Sequence, residues 1–243
     1  MATSKAWMTL WAIQMSEIVR NNIAERAKVV LSERKEYQMF GCVHVFVKDP
    51  LPQGIDMTMI IKQVEQIVPS CLVQELEAVY VGQFPELVSR EVKAVYEDAT
   101  IYMTNEQDSE EEAIDDIVHE IAHSVESFAG MEIYSDGYLE REFVEKRKIL
   151  LDRMVNEGYN VDVMQFLDTE YSRDLDYFFY KGVGYDKMAI LCIDVFPTPY
   201  SATSLREYFA VGLEEYLYGD KKALGEVSPV LYQKITDIIN ICS

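Results

Sequence analysis

At 243 residues the chain is long enough for one large domain or two small ones, and a hydrophobic content of 49% supplies a sizeable core. Sixteen tyrosines, ten phenylalanines and two tryptophans make it too aromatic for intrinsic disorder. Forty-two acids against 22 bases give a formal charge of −20, which repels nucleic acid and anionic lipid at long range and removes both from the expected partners.

The four cysteines, Cys42, Cys71, Cys192 and Cys242, are scattered and form no CxxC. Reduced, mostly buried thiols are expected rather than a disulfide framework. The N-terminal residues are apolar in patches from Ala6 to Met15, without a continuous run leading to a small-residue cleavage site, so no signal peptide is expected. No stretch reaches the ~18 apolar residues of a membrane span. A cytoplasmic or particle (virion)-associated protein is the expectation.

Residues 5–36 predict one long amphipathic helix. Trp7, Leu10, Trp11, Gln14, Ile18 and Val19 recur at helical spacing, and a charged run, 32–36, ends it. Residues 1–38 are thus expected to be an N-terminal helical extension, offering a surface for a protein partner, ahead of one domain over 39–243. The β-branched run 42–47 predicts a strand, stopped by Asp49-Pro50 and by Pro52 and Gly54. A helix is expected over 57–68, closed by Pro69, then a half-buried strand over 72–82. A strand pair follows at 93–96 and 100–103. At Ser109 the period becomes helical. Ser109 and Glu112 form a capping box, and Glu110, Glu111 and Glu112 occupy the first turn, where the helix dipole favours negative charge. This helix is expected over 110–128, with further helical stretches at 138–157, 161–180, 203–218 and 228–241. The class is α+β, mixed first and mostly helical afterwards.

The chemistry concentrates in His119-Glu120-Ile121-Ala122-His123. Two histidines four residues apart on a helix project from one face and can reach one Zn²⁺. Glu120 falls beside the metal's open position, where it can take a proton from a bound water. Ile114, Ile117, Val118, Ile121 and Val125 give the helix the apolar stripe of a buried element. The only other histidine, His44, sits mid-strand and is expected simply to pack there.

A catalytic zinc needs three protein ligands and an open position. Glu126 lies on the same helix about one turn from the metal, which places it behind the histidines rather than on the ion. Glu207 is the better third ligand, because it opens a separate helix that can cross the first, with the small Ala210 allowing close approach. Two alternatives stay open. Ser204, three residues earlier, can engage Glu207 in a capping box, and Glu214 and Glu215 further along are reserve ligands.

The string His119-Glu120-Ile121-Ala122-His123-Ser124-Val125-Glu126-Ser127-Phe128-Ala129-Gly130 resembles the active-site helix of the anthrax lethal factor-like metallopeptidases. So does Glu207-Tyr208-Phe209-Ala210, whose counterpart there is an acidic ligand followed by two aromatics and alanine. The C-terminal segment 228–232 is similar in placement. In that family, and in the related proline-proline endopeptidases, a tyrosine seven residues before the ligand glutamate stabilises the oxyanion, and Tyr200 stands at that position. The resemblance covers residues 95–240. It implies a zincin-like metallopeptidase domain of gluzincin type: a small mixed sheet, an active-site helix and a mostly helical C-terminal part. His119, His123 and Glu207 would be its zinc ligands, Glu120 its general base and Tyr200 its electrophilic aid. Ala122 departs from a frequent glycine, Glu126 from a common aspartate, and residues 1–40 have no counterpart.

The expected activity is a zinc-dependent endopeptidase acting on a peptide or protein substrate, with basic substrates a subsidiary expectation from the charge. By analogy with zincins, the strand at 99–104 is expected at the sheet edge, pairing with an extended peptide, and 105–109 would border the cleft. A different class fits the same features, a non-catalytic zincin-fold structural or interaction component of a viral or other large particle. A secreted toxin is a third class, weakened by the missing export signal.

Overall fold

The computed structural model describes residues 35–241, so the 5–36 helix with Trp7 and Trp11 lies outside them except for its last two residues, as does Cys242. Those two residues correct the helix: Lys35 and Glu36 open a strand, β1 (Lys35–Met39). β1 turns back through Phe40 and Gly41, both at positive φ, into β2 (Val43–Val47). The boundary expected after residue 38 therefore falls inside β1.

Helix α1 (Met57–Ile67) follows, capped by the Asp56 carboxylate, which accepts from the Thr58 N–H. The 72–82 expectation is half right. After Pro69 the chain makes a 3₁₀ turn (Ser70–Val73), and only Ala78–Gly82 extends as β3. A short helix not foreseen, α2 (Pro85–Arg90), leads to β4 (Ala94–Glu97) and β5 (Thr100–Thr104). The sheet order is β1-β2-β3-β5-β4. β2, β3 and β5 run parallel, while β1 and β4 lie antiparallel at the two edges. Parallel neighbours need crossovers, and α1 supplies the first of them.

Strand alternation sorts the two faces of the sheet. Val43, Val45, Val47, Val79, Val81, Ile101 and Met103 are buried in one core with Met57, Ile60 and Val64 of α1. The opposite face carries a row of stacked rings, with His44, Phe46, Tyr80 and Tyr102 at successive centroid spacings of 6.0, 5.0 and 5.7 Å. His44 is exposed and packs as expected. Cys192 is buried, but Cys42 is exposed, against the expectation of mostly buried thiols.

Against the inner face lies α3 (Glu110–Tyr134), about 37 Å long at the usual rise. The Ser109 half of the predicted box forms, its Oγ accepting from the Glu112 N–H at 3.1 Å, while Glu112 Oε2 accepts from the Asp108 N–H, one residue before the cap, at 2.7 Å. Ile114, Ile117, Val118, Ile121 and Val125 are all buried, as their spacing predicted. The helix runs six residues past 128. Gly130 weakens it only locally, and Ile133 is buried one turn on.

The C-terminal part is helical throughout: α4 (Tyr138–Asn156), α5 (Val163–Phe166), α6 (Arg173–Tyr177), a π turn (Phe178–Gly184), α7 (Tyr185–Cys192), α8 (Leu205–Leu217), α9 (Lys221–Val227) and α10 (Pro229–Ile241). The single helix expected over 161–180 is broken. Asp162 and Ser172 each cap a new start with their side chains, competing with helix continuation between them. Two buried cations tie this layer together. Lys146 Nζ donates to the carbonyls of Val195, at 2.6 Å, and Val227. Arg147, fully buried, donates to the carbonyls of Phe166 and, at 2.8 Å, Thr203. Among the described residues no helix is long and apolar enough to cross a membrane.

The β4–β5 hairpin closes on two residues, Asp98 at φ 47° and Ala99 at φ 61°. Two positive φ values suit the strand twist but want glycine or asparagine. Ala99 is held there because its carbonyl accepts the Glu77 N–H at 2.8 Å. Replacing it with glycine removes a Cβ from the left-handed region, so Ala99→Gly should raise the unfolding free energy by about 0.5–1 kcal/mol. A denaturant midpoint equal to or below that of the parent chain would contradict a strained turn.

Candidate metal centre

His119 and His123 sit one turn apart on α3 and face α8, which crosses it. Glu207 lies in the first turn of α8, which starts where Ser204 Oγ accepts the Glu207 N–H at 3.1 Å. Only half of the capping box forms. Ser204 takes the backbone N–H of Glu207, while its carboxylate turns to the histidines, with Oε2 3.0 Å from His119 Nε2 and 3.5 Å from His123 Nε2. The donor atoms of the three residues lie within 4.8 Å of one another.

The cluster could hold a metal ion, and it fits zinc on three counts. Ligands at about 2.0–2.1 Å in a tetrahedral arrangement stand about 3.3 Å from one another, and the two nitrogen–oxygen separations bracket that value. Both imidazoles also turn Nε2 inward and Nδ1 outward onto a carboxylate. His123 Nδ1 meets Glu126 Oε2 at 2.9 Å, and His119 Nδ1 meets Glu214. A carboxylate on the far nitrogen sets the tautomer and ring orientation of a metal-binding histidine. Two nitrogens and a carboxylate oxygen form a donor set that suits zinc.

The structure sorts the remaining candidates. Glu126 lies behind His123 as expected and is also bound by Arg206 and Tyr134. Glu214, expected as a reserve ligand, instead supports His119; it lies seven residues beyond Glu207 and so on the same face of α8. Glu215 takes no part, its carboxylate accepting the Asp220 N–H at 3.2 Å. Tyr200 sits in a 3₁₀ turn (Tyr200–Ala202) with its ring centroid 5.8 Å from that of His119. Its carbonyl accepts the Thr203 N–H at 2.9 Å and hydroxyl at 2.7 Å, while Ser201 Oγ donates to the Thr198 carbonyl at 2.6 Å. These bonds close the turn on itself just ahead of α8.

Glu120 is buried, and its Oε2 accepts the Tyr96 N–H at 2.6 Å. The predicted edge strand needs correction here, because β5 is internal and β4 is the edge. Thr104 N–H donates to the Lys93 carbonyl, so 93, 95 and 97 face β5 while Ala94 and Tyr96 turn their polar groups outward. Nor does 105–109 border the cluster. It leads into the start of α3, about 14 Å along the helix from His119, with Asn105 bonded to the Pro50 carbonyl.

The charges balance closely. Burial alone would lower both histidines, but the carboxylates outweigh it. Glu207 and Glu214 lift His119 well above its ordinary value, and Glu126 and Glu207 lift His123 to about 9. Burial would raise Glu207, yet the two imidazoles hold it below the usual carboxylate range. Burial pushes Glu120 up, with the imidazoles and the Tyr96 N–H pulling against it. Burial and then Glu207 push the Tyr200 phenol up, so it stays protonated.

Comparison with protein-family models, with curated proteins and with solved structures finds no match.

Because the metal-free imidazoles are cationic near neutrality, metal must displace their protons. The sign is that of a raised pKa: the protonated form persists as pH rises, until His123 passes about 9. Zinc affinity should therefore keep climbing from pH 7 to 9, and binding at pH 7 should release more than one proton. Two histidines of ordinary pKa would release about half a proton there. Calorimetric titration in buffers of different ionisation enthalpy counts the protons, and a release near one half would show that the carboxylates do not hold these imidazoles.

Proposed function

We propose that the chain is a zinc-dependent endopeptidase of zincin type, related to the lethal factor-like metallopeptidases. The observation that carries this is the convergence of Glu207 on His119 and His123 beside a buried Glu120. Each of the four has its role in the resemblance, three from one short motif on α3 and Glu207 from a separate helix 84 residues beyond His123. Zinc held by these residues would polarise a peptide carbonyl and bring a water pKa to ~7.

The chain's own residues then divide the work. Glu120, its carboxyl raised toward the working range by burial, accepts the water proton and returns it to the leaving amine. The Tyr200 hydroxyl, kept protonated and beside His119, donates to the oxyanion as charge develops. The substrate is an extended peptide paired along β4, where Ala94 offers an outward N–H and carbonyl and Tyr96 an outward carbonyl. That strand lies against Glu120 through the Tyr96 N–H, so a peptide on this edge passes the base.

Zinc-loaded protein incubated with a proteome-derived peptide library, with the products sequenced, tests the activity directly. Cleavage should be abolished by a chelator and restored by zinc. Glu120→Gln should lower turnover by about 10²–10⁴-fold while zinc stays bound. Tyr200→Phe should cost on the order of 10²–10³-fold in kcat with little change in KM. Fully loaded protein that cleaves no peptide, or Glu120→Gln protein as active as the parent, would turn the reading to a zincin-like scaffold without catalysis.

A further inference from the structure

Arg206 immediately precedes the ligand Glu207 but reaches to the other side of the second histidine. Its Nε and Nη2 donate to Glu126 Oε2 at 3.0 and 2.9 Å. The same oxygen receives His123 Nδ1 at 2.9 Å, and Glu126 Oε1 receives the Tyr134 hydroxyl. Glu126 is thus gripped at both oxygens by donors from α3 and α8. Its side chain is 8% exposed, and Arg206 is the only lysine or arginine in ion-pair range of it among the described residues.

We propose that Arg206 is a positioning residue for the metal centre, acting through Glu126 to hold the His123 imidazole with Nε2 turned to the ion. This rests on the metal-binding reading above. Held only by Tyr134 at Oε1, the carboxylate could pivot about that oxygen and carry the imidazole on Oε2 with it. Two guanidinium N–H groups on Oε2 remove that freedom, because the planar group fixes the direction of approach. The chain order adds a geometric consequence. Successive residues of α8 point to the two sides of His123, Arg206 to its support and Glu207 to its metal face, so one helix sets both the third ligand and the orientation of the second. His119 lacks this arrangement: its partner Glu214 is 20% exposed and has no lysine or arginine paired with it among the described residues. The competing account is an ordinary ion pair that joins two helices and contributes only to folding.

The Arg206 side chain is 60% exposed, so its truncation opens no cavity, and circular dichroism of each variant checks that the fold survives. The test measures zinc affinity by chelator competition for the full chain and for Arg206→Ala, Arg206→Lys, Glu126→Gln and the Glu126→Gln/Arg206→Ala pair. The absorption spectrum of the cobalt(II)-loaded forms is recorded as a second readout. Arg206→Ala should weaken zinc binding by about 10–100-fold, the range for lost partners of metal ligands, and alter the cobalt spectrum. Arg206→Lys, with a point charge for a fork, should fall between. In the Glu126→Gln background the loss of Arg206 should cost nothing further, since its route to the metal is gone. Unchanged affinity and spectrum in Arg206→Ala, or an equal cost in both backgrounds, overturns the proposal while leaving the metal site standing. A parent chain that binds no zinc overturns both.

Discussion

The structure turns on one crossing, where α8 lays the Glu207 carboxylate between two imidazoles of α3. A buried carboxylate or imidazolium is costly alone and tolerable only when paired, so the two helices are obliged to meet there. Two protons on His119 and His123 carry the same charge as one divalent cation. Exchanging them for zinc leaves the sum over Glu120, Glu126, Glu207, Glu214 and Arg206 unchanged. The carboxylates that raise the imidazole pKa values are the same groups that would balance a metal. A divalent ion in this cluster would therefore meet the charge balance that two imidazole protons already satisfy.

Holding that crossing falls to groups remote from it. Arg147 reaches from α4 to the Thr203 carbonyl, one residue before the cap of α8, and lies among the rings of Phe143, Phe166 and Phe179. Among the described residues no carboxylate lies in ion-pair range of it, and burial, opposed by the charge of Asp168, lowers its pKa to about 10. It therefore acts as a strut, trading desolvation for two carbonyl bonds and three aromatic faces. From the other side, Glu142 accepts the Tyr208 hydroxyl at 2.9 Å and the N–H groups of Val230 and Leu231 at 2.8 and 3.1 Å. It caps α10 while anchoring α8. Gly212 lets α10 approach α8 closely, since a Cβ there would meet Leu231 at 2.4 Å. The helix that carries Glu207 is thus fixed at its start, its middle and its flank.

What the sequence disclosed follows from how local each signal is. The metal helix was legible because its cap, apolar stripe and histidine spacing are all written within a few turns of one element. Glu207 could be named, since a cap marks the start of α8 and the missing ligand had to be an acid, but its direction depended on tertiary packing. The partner role of Glu214 lay in the pattern too, two turns from Glu207 on one face. It was obscured by treating every acid on α8 as a rival ligand. Nothing local singles out Arg206 or Arg147, because no feature of the sequence tells a solvated guanidinium from one aimed inward. The strand order failed for a related reason. Two β-branched runs joined by a two-residue turn declare a hairpin, but which strand lies at the edge is decided by whether β3 pairs with the first or the second of them.

That last choice places the base. With β5 inside, β4 becomes a four-residue edge whose outward groups are confined to Ala94 and Tyr96, and so short an edge resists indiscriminate strand pairing. Glu120 occupies the N–H of Tyr96, so the side chain that would handle the proton also satisfies an edge donor that would otherwise need water. An antiparallel peptide opposite Tyr96 can still donate its N–H to the Tyr96 carbonyl, but its own carbonyl finds that N–H already taken. On the proposed reading, the carbonyl opposite Tyr96 would lose its strand partner where the edge meets Glu120, so the base itself would interrupt the ladder that an extended peptide could otherwise form along β4.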